Sequence, residues 1–303
     1  MKILTNLLLN TQINFMKPHK IALSLSIFSI IAVITLVFFK GLNFGIDFSG
    51  GILIEARIEN TKSAILRDVF KGKLKDVQIQ NIGENDFLIR VASNQENQGQ
   101  NQVDLIQNIK NILNEKFDEI DYRKVDYVGP QIGSELIFKG FLALLLSFVF
   151  IMIYIWIRFD WQFGLGAIFA LIHDAVLVIG FYSISGLEFN LTSIAALLTI
   201  IGYSINDSVV IYDRIRENLR KFKKAELLNI INSSLNSTLS RTVLTASTTL
   251  LSLLALILFG GEVLKSFSIA SFVGILIGTY SSIYISAPIL LYINPRKEKG
   301  KVL

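Results

Sequence analysis

The 303-residue chain has no cysteine, two histidines, three methionines and only four prolines. Without thiols there is no disulfide framework, no thiol nucleophile and no common zinc site, and so few histidines and methionines leave little for a haem or a soft metal. No cofactor, metal centre or redox chemistry is expected. The GxxxxGK[ST] spacing of a phosphate loop does not occur, so the chain is not expected to be an enzyme driven by its own nucleotide hydrolysis. Charge is scarce too: 17% of residues are charged against 52% hydrophobic, and the mean hydropathy is +0.54. These values lie outside the soluble range and identify a membrane protein. Nucleic acid is not among its expected partners.

Gaps between charges mark the spans. Lys20 to Lys40 encloses 19 uncharged residues, Lys139 to Arg158 and Glu188 to Asp207 enclose 18 each, and Arg241 to Glu262 encloses 20. Lys265 to Arg296 encloses a longer stretch, and Trp161 to Ile184 is long enough although it carries His173 and Asp174. Each can cross a hydrocarbon core of about 30 Å as a helix. The expected class is a polytopic α-helical membrane protein with six transmembrane helices, near 21–39, 136–157, 162–184, 191–213, 242–260 and 266–293.

Short connections rich in Lys and Arg face the cytosol. They are residues 1–20, 214–242 and the basic tail 294–303, which puts both termini inside. Helix one lacks an A-x-A site before Lys40 and reads as an uncleaved anchor. Within 214–242, Leu228, Ile231, Leu235 and Leu239 form a helical stripe behind a basic cluster. That pattern predicts an amphipathic helix on the inner leaflet, acting as a topology anchor or as a contact for membrane lipids.

The segment 41–135 is long enough to fold alone outside the membrane. Strand-like alternation at 52–58, 77–82, 87–92 and 122–128 is interleaved with helical periodicity at 63–74 and 103–117. The order βαββαβ predicts an α+β ferredoxin-like domain between helices one and two. The Asn/Gln-rich run from 94 to 102 reads as a solvated loop.

Two acids fall inside predicted spans, Asp174 and Asp207, where a central Asp costs about 2.5–3.5 kcal/mol. Each reads either as a structural acid bonded to a neighbouring helix or as a proton or ion carrier; for Asp174 the choice is between a relay and a structural acid. Adjacent residues on a helix point about 100° apart, so His173 is expected to give Asp174 no direct relay. Asp207 has Tyr203, Ser204 and Ser208 nearby in sequence and lies about 9 Å along its helix from Asp213. Helix five starts near Arg241, at a depth comparable with the lower end of helix four, so Arg241 is either a snorkelling residue or an ion-pairing one. Gly274, Gly278, Ser282 and Ser286 recur every four residues and permit close helix packing, within the bundle or to a partner. The hydroxyls of Thr245, Ser247, Thr248, Thr249 and Ser252 either line water or return to helix carbonyls.

Seven motifs in order resemble the SecF branch of the SecD/SecF protein-export family, within the resistance-nodulation-division superfamily. They are Gly45-Ile-Asp-Phe-Ser-Gly-Gly51, Val128-Gly-Pro-Gln-Ile-Gly-Ser-Glu-Leu136, Glu188-Phe-Asn-Leu-Thr-Ser-Ile-Ala-Ala196, Gly202-Tyr-Ser-Ile-Asn-Asp207, Asp213-Arg-Ile-Arg-Glu-Asn218, Ser240-Arg-Thr242 and Phe259-Gly-Gly261. The resemblance implies a six-helix half paired with a SecD-like subunit in the bacterial cytoplasmic membrane. It implies assistance to the Sec translocon channel in late export of unfolded polypeptides, using the proton-motive force. It also implies that Asp207 is the proton-linked acid and Arg241 its coupled base. Two other functions suit the same architecture: a proton-coupled exporter of small molecules or lipids, and an uncoupled translocon scaffold.

Overall fold

The structure is a computed structural model in which residues 12–74, 77–83, 85–92 and 102–296 are described. The Asn/Gln-rich run from 94 to 101 and the tail from 297 onward lie outside the described residues. In chain order the elements are α1 (His19–Lys40), α2 (Ile46–Ser49), β1 (Gly51–Arg57), α3 (Ser63–Phe70), β2 (Val77–Asn81), β3 (Asp86–Ala92), α4 (Gln102–Asn114) and β4 (Asp121–Val128). There follow α5 (Pro130–Arg158), α6 (Trp161–Ser185), α7 (Leu191–Lys221), α8 (Leu227–Phe259), α9 (Gly261–Ser281), a π-helical segment (Ser282–Ser286) and α10 (Ala287–Ile293). Six of the helical stretches are long and apolar enough to span a membrane, the last running through α9 to α10.

The chain divides into two compact units. One comprises residues 44–142 together with 188–191. Its sheet has the order β2-β3-β1-β4 with antiparallel neighbours, which is the ferredoxin-like arrangement expected from βαββαβ. Alternation along β1 buries Ile52, Ile54 and Ala56 against Leu66 and Phe70 of α3 and Ile109 and Leu113 of α4. Gly50 and Gly51 enter β1 with φ of 69° and 127°, backbone that L-residues rarely adopt, so the paired glycines are a geometric requirement.

The four residues 188–191, which join two transmembrane helices in sequence, belong to this unit. Gly45 N donates to Phe189 O at 2.9 Å, Leu191 N donates to Asp47 Oδ2 at 3.1 Å, and the rings of Phe44, Phe48 and Phe189 cluster. Arg90 on β3 pairs with Glu188 at 2.5 Å, with side chains only 9% and 19% exposed. Two motifs about 140 residues apart in sequence, starting at Gly45 and Glu188, thus build one structure.

In the other unit, α1 runs alongside α6: a Cβ on Gly180 would overlap Val33, Ser183 Oγ donates to Gly41 O at 2.7 Å and Lys40 Nζ donates to Ile184 O at 3.0 Å. Helices α7 and α8 form an antiparallel hairpin held by Asn218 Nδ2 to Ser234 Oγ at 2.8 Å and Arg214 Nε to Ser237 Oγ at 2.9 Å. Residues 214–242 therefore form no separate helix on a leaflet, contrary to the sequence expectation. α7 continues to Lys221, the chain turns over 222–226, and α8 begins at Leu227. Of the expected stripe, Ile231, Leu235 and Leu239 lie in the bundle core with Met16, Tyr212 and Leu290, while Leu228 is exposed. A break at the first charge marks where a span leaves the apolar layer, and a helix supported by tertiary packing extends beyond it.

Burial holds the Glu188 carboxyl above its usual range, and the charge of Arg90 pulls it back. Removing Arg90 by Arg90→Met leaves a buried carboxylate unpaired, at a cost of about 3–5 kcal/mol in the ionised state. An acid whose folded pKa exceeds its unfolded value is favoured by folding when protonated. Stability is then full below the ordinary carboxyl range and is lost as pH rises through the folded value. Hydrogen exchange of β1 and β3 in the full-length variant is expected to report mild destabilisation near pH 5 and severe destabilisation near pH 8, whereas Glu188→Gln should lack that pH dependence.

Candidate functional site

Buried positions of α7 recur at intervals of three and four, from Ile200 through Ser204, Asp207, Ser208 and Ile211 to Ile215. That period makes one face of the helix the inner face, and Asp207 belongs to it. Asp207 is 2% exposed, and its Oδ2 is buried without a hydrogen-bond partner among the described residues. The hairpin register sets Asp207 toward Arg241 on α8, whose charge acts on it. No ion pair within 4 Å joins the two side chains among the described residues, and Arg241 is exposed.

Asp174 on α6 is more completely enclosed, at 0% exposure. Ser204 Oγ of α7 donates to its Oδ2 at 2.6 Å, and Ser281 Oγ of α9 donates to the same oxygen at 2.7 Å. His173 Nδ1 lies 3.0 Å from Oδ1. The expectation that His173 points away from Asp174 is thereby corrected. A helical step of 100° fixes where Cβ leaves the backbone, but rotation about χ1 and χ2 swings the imidazole back over its neighbour. One carboxylate joins three helices, and Ser204 places this network one helical turn from Asp207.

The small-residue stripe packs inside the bundle. A Cβ on Gly274 would overlap Ile200, one on Gly278 would lie 3.1 Å from Ser204 Cβ, and Ser286 Oγ donates to Tyr212 Oη at 2.6 Å. Contacts advance by four residues on each helix, so α7 and α9 run parallel with interlocking four-residue ridges. Ser282 is fully buried and donates to Thr279 O at 3.0 Å. The π segment separates Ser281, bound to Asp174, from the contact of Ser286 with Tyr212. Pro288 follows it near the start of α10, and a proline there removes one backbone donor and crowds the carbonyl four residues earlier, which the wider turn relieves. Gly166 makes room for this contact, since a Cβ there would lie 2.7 Å from Tyr212 Oη. On α8, Thr245, Thr248, Thr249 and Ser252 each return their hydroxyl to a helix carbonyl.

Residues 108–296 match the family model for the protein export membrane protein SecD/SecF, C-terminal, and residues 35–62 match the SecD/SecF GG motif. The chain belongs to the SecD/SecF protein-export family. Relatives named protein translocase subunit SecF from Rickettsia rickettsii and Rickettsia bellii are each 53% identical, over 96% and 94% of this chain and 94% and 95% of their own lengths. A crystal structure of SecDF from Thermus, described as a translocon-associated membrane protein, superposes with a TM-score of 0.86 at 37% identity. The match covers 95% of this chain and 39% of that one. A second SecDF structure, in a super-membrane-facing form, gives a TM-score of 0.71 at 37% identity over 96% of this chain and 40% of the other. The SecD/SecF glycine motif is the segment whose Gly50 and Gly51 carry positive φ.

Sequence reasoning marked both intramembrane acids but missed the partners of Asp174, because Ser204 and Ser281 lie in helices remote from it in the chain. The small-residue stripe, which passes Ser281 at the adjacent Ser282, was the available signal. Each hydrogen bond to a carboxylate is worth about 1.5–3 kcal/mol. Ser204→Ala and Ser281→Ala are each expected to lower stability by that amount, read as thermal unfolding of the purified protein in detergent. Because both hydroxyls serve one oxygen, the double variant should depart measurably from the sum of the two.

Proposed function

We propose that this chain is the SecF-like subunit of a Sec protein translocase, pairing with a SecD-like subunit beside the translocon channel and coupling proton flow to late export of unfolded polypeptides. Support comes from family membership and from relatives at 53% identity over nearly the whole chain that bear the SecF name. The reading places the protein in the bacterial cytoplasmic membrane with both termini cytosolic, in keeping with the basic residues near both chain ends and at the turn between α7 and α8.

The observation that carries the coupling is the buried Asp207 oxygen without a hydrogen-bond partner, on a helix facing Arg241. An ionised carboxylate so placed is costly, and either a proton or a closer guanidinium offsets the cost. Exchange between these two neutralisers changes the force between α7 and α8. When access to Asp207 alternates between the two sides of the membrane, each proton that passes is tied to a helix movement. The Asp174 clamp holds α6 and α9 to α7 while Asp207 changes state. In the outer unit, β2 and β4 are edge strands, and an emerging unfolded chain can add to such an edge through main-chain hydrogen bonds independent of its sequence.

Asp207→Asn keeps shape and removes titration. Vesicles carrying equal amounts of assembled complex are expected to lose gradient-dependent late export with the Asn variant and to retain it with wild type; equal rates would leave an uncoupled scaffold. Arg241→Lys keeps the charge but not the planar fork, so a severe defect indicates a bidentate pair and a mild one a point charge. Following a secretory polypeptide in the same vesicles distinguishes export assistance from efflux of small molecules. Topology is checked by Asn97→Cys in this cysteine-free chain: labelling is expected from outside only, and labelling from the cytosol alone overturns the assignment.

A further inference from the structure

We propose that the turn between α5 and α6 and the end of α7 bind one anionic phospholipid, headgroup in a basic pocket and one acyl chain in the adjoining apolar groove. The pocket, of about 420 Å³, is lined by Arg158, Asp213, Arg216, Glu217, Arg220 and Lys221. Its two acids are already engaged: Asp213 pairs with Arg158 at 3.2 Å, and Glu217 pairs with Arg214, outside the lining, at 2.6 Å. Arg216, Arg220 and Lys221 have no carboxylate within 4 Å among the described residues. The site is built rather than merely charged. Arg158 and Arg216 stand over the ring of the buried Phe159 at 5.0 and 5.9 Å, Arg216 donates from Nη1 to Arg158 O at 3.2 Å, and its buried Nε has no hydrogen-bond partner among the described residues.

The second observation is the groove. Met152, Trp156, Trp161, Gly164, Leu165 and Ile168 line a nearly wholly apolar depression of about 220 Å³ between α5 and α6. Ile157, Arg158, Phe159 and Asp160 link the two tryptophans, so pocket and groove share one turn. From Arg158 to Met152 the groove follows about 9 Å of helix into the apolar layer, and the spans that form it end at Arg158 and begin at Trp161. Surplus positive charge at the membrane border beside an apolar channel running inward matches an anion joined to a hydrocarbon chain. A free phosphate has no use for the groove, and an apolar partner helix has none for the unpaired cations.

The chain's only two tryptophans both line the groove, so their fluorescence reads its occupant. The full-length protein is placed in phosphatidylcholine vesicles containing a small fraction of either dibrominated phosphatidylglycerol or dibrominated phosphatidylcholine. Brominated phosphatidylglycerol is expected to quench at about 25-fold lower mole fraction, about fivefold from each of Arg220 and Lys221. The exposed pair is removed in Arg220→Gln/Lys221→Gln, which should lose most of that preference. High salt should weaken the preference in the unaltered protein, a reading that needs no variant. Equal quenching by the two lipids overturns the proposal, as does a preference that survives both the double exchange and high salt. Loss of the preference on adding inorganic phosphate would assign the pocket to a free anion. Loss of quenching on adding a tryptophan-free SecD-like partner would assign the groove to a helix interface. Either result also overturns the proposal.

Discussion

A carboxylate buried among helices must find donors within the protein, and the bundle is arranged around how two carboxylates meet that demand. Asp174 meets it fully, with Ser204, Ser281 and His173 gathered from two other helices and its own. Asp207, one turn along α7 from Ser204, leaves it unmet at Oδ2, which is buried without a hydrogen-bond partner among the described residues. The first therefore fixes α6, α7 and α9 together. The second is left in a state that a proton or the charge of Arg241 completes. Close packing of α7 on α9 follows from the same need, because Ser204 and Ser281 can share an oxygen only if Gly274 and Gly278 let the backbones approach.

The ferredoxin-like unit carries its own version of this constraint. Arg90 and Glu188 are both largely shielded, and neither can be removed without stranding the other. Their pairing, with the Phe44, Phe48 and Phe189 cluster, makes the short link between α6 and α7 part of the ferredoxin-like unit. A change in this unit thus has a covalent route, through four residues, to the two helices that hold Asp174 and Asp207. At the opposite, basic end of these helices, Arg158, Arg216 and Phe159 form a stacked group whose charge exceeds what local acids neutralise.

Several features were legible in the sequence because they depend on near neighbours along the chain. Uncharged gaps located five spans and apolar length the sixth, alternation and helical periodicity gave βαββαβ, and the presence of Asp174 and Asp207 in apolar segments marked both as exceptional. The reading failed where a decision required distant residues. The stripe at Ile231, Leu235 and Leu239 has the period of an amphipathic surface helix, yet the same period serves a helix whose inner face meets Tyr212 and Leu290; periodicity says that a face is buried, not what buries it.

The sequence by itself determined the membrane class, the order of elements and the existence of two costly acids, since hydropathy and periodicity are sums over adjacent residues. Only the tertiary structure decided that Ser204 and Ser281 share one oxygen of Asp174, that the small stripe faces α7, and that Glu188 belongs with Arg90. Those facts rest on contacts a few ångströms long between residues 30 to 107 positions apart, and no local pattern encodes which distant hydroxyl or guanidinium will arrive.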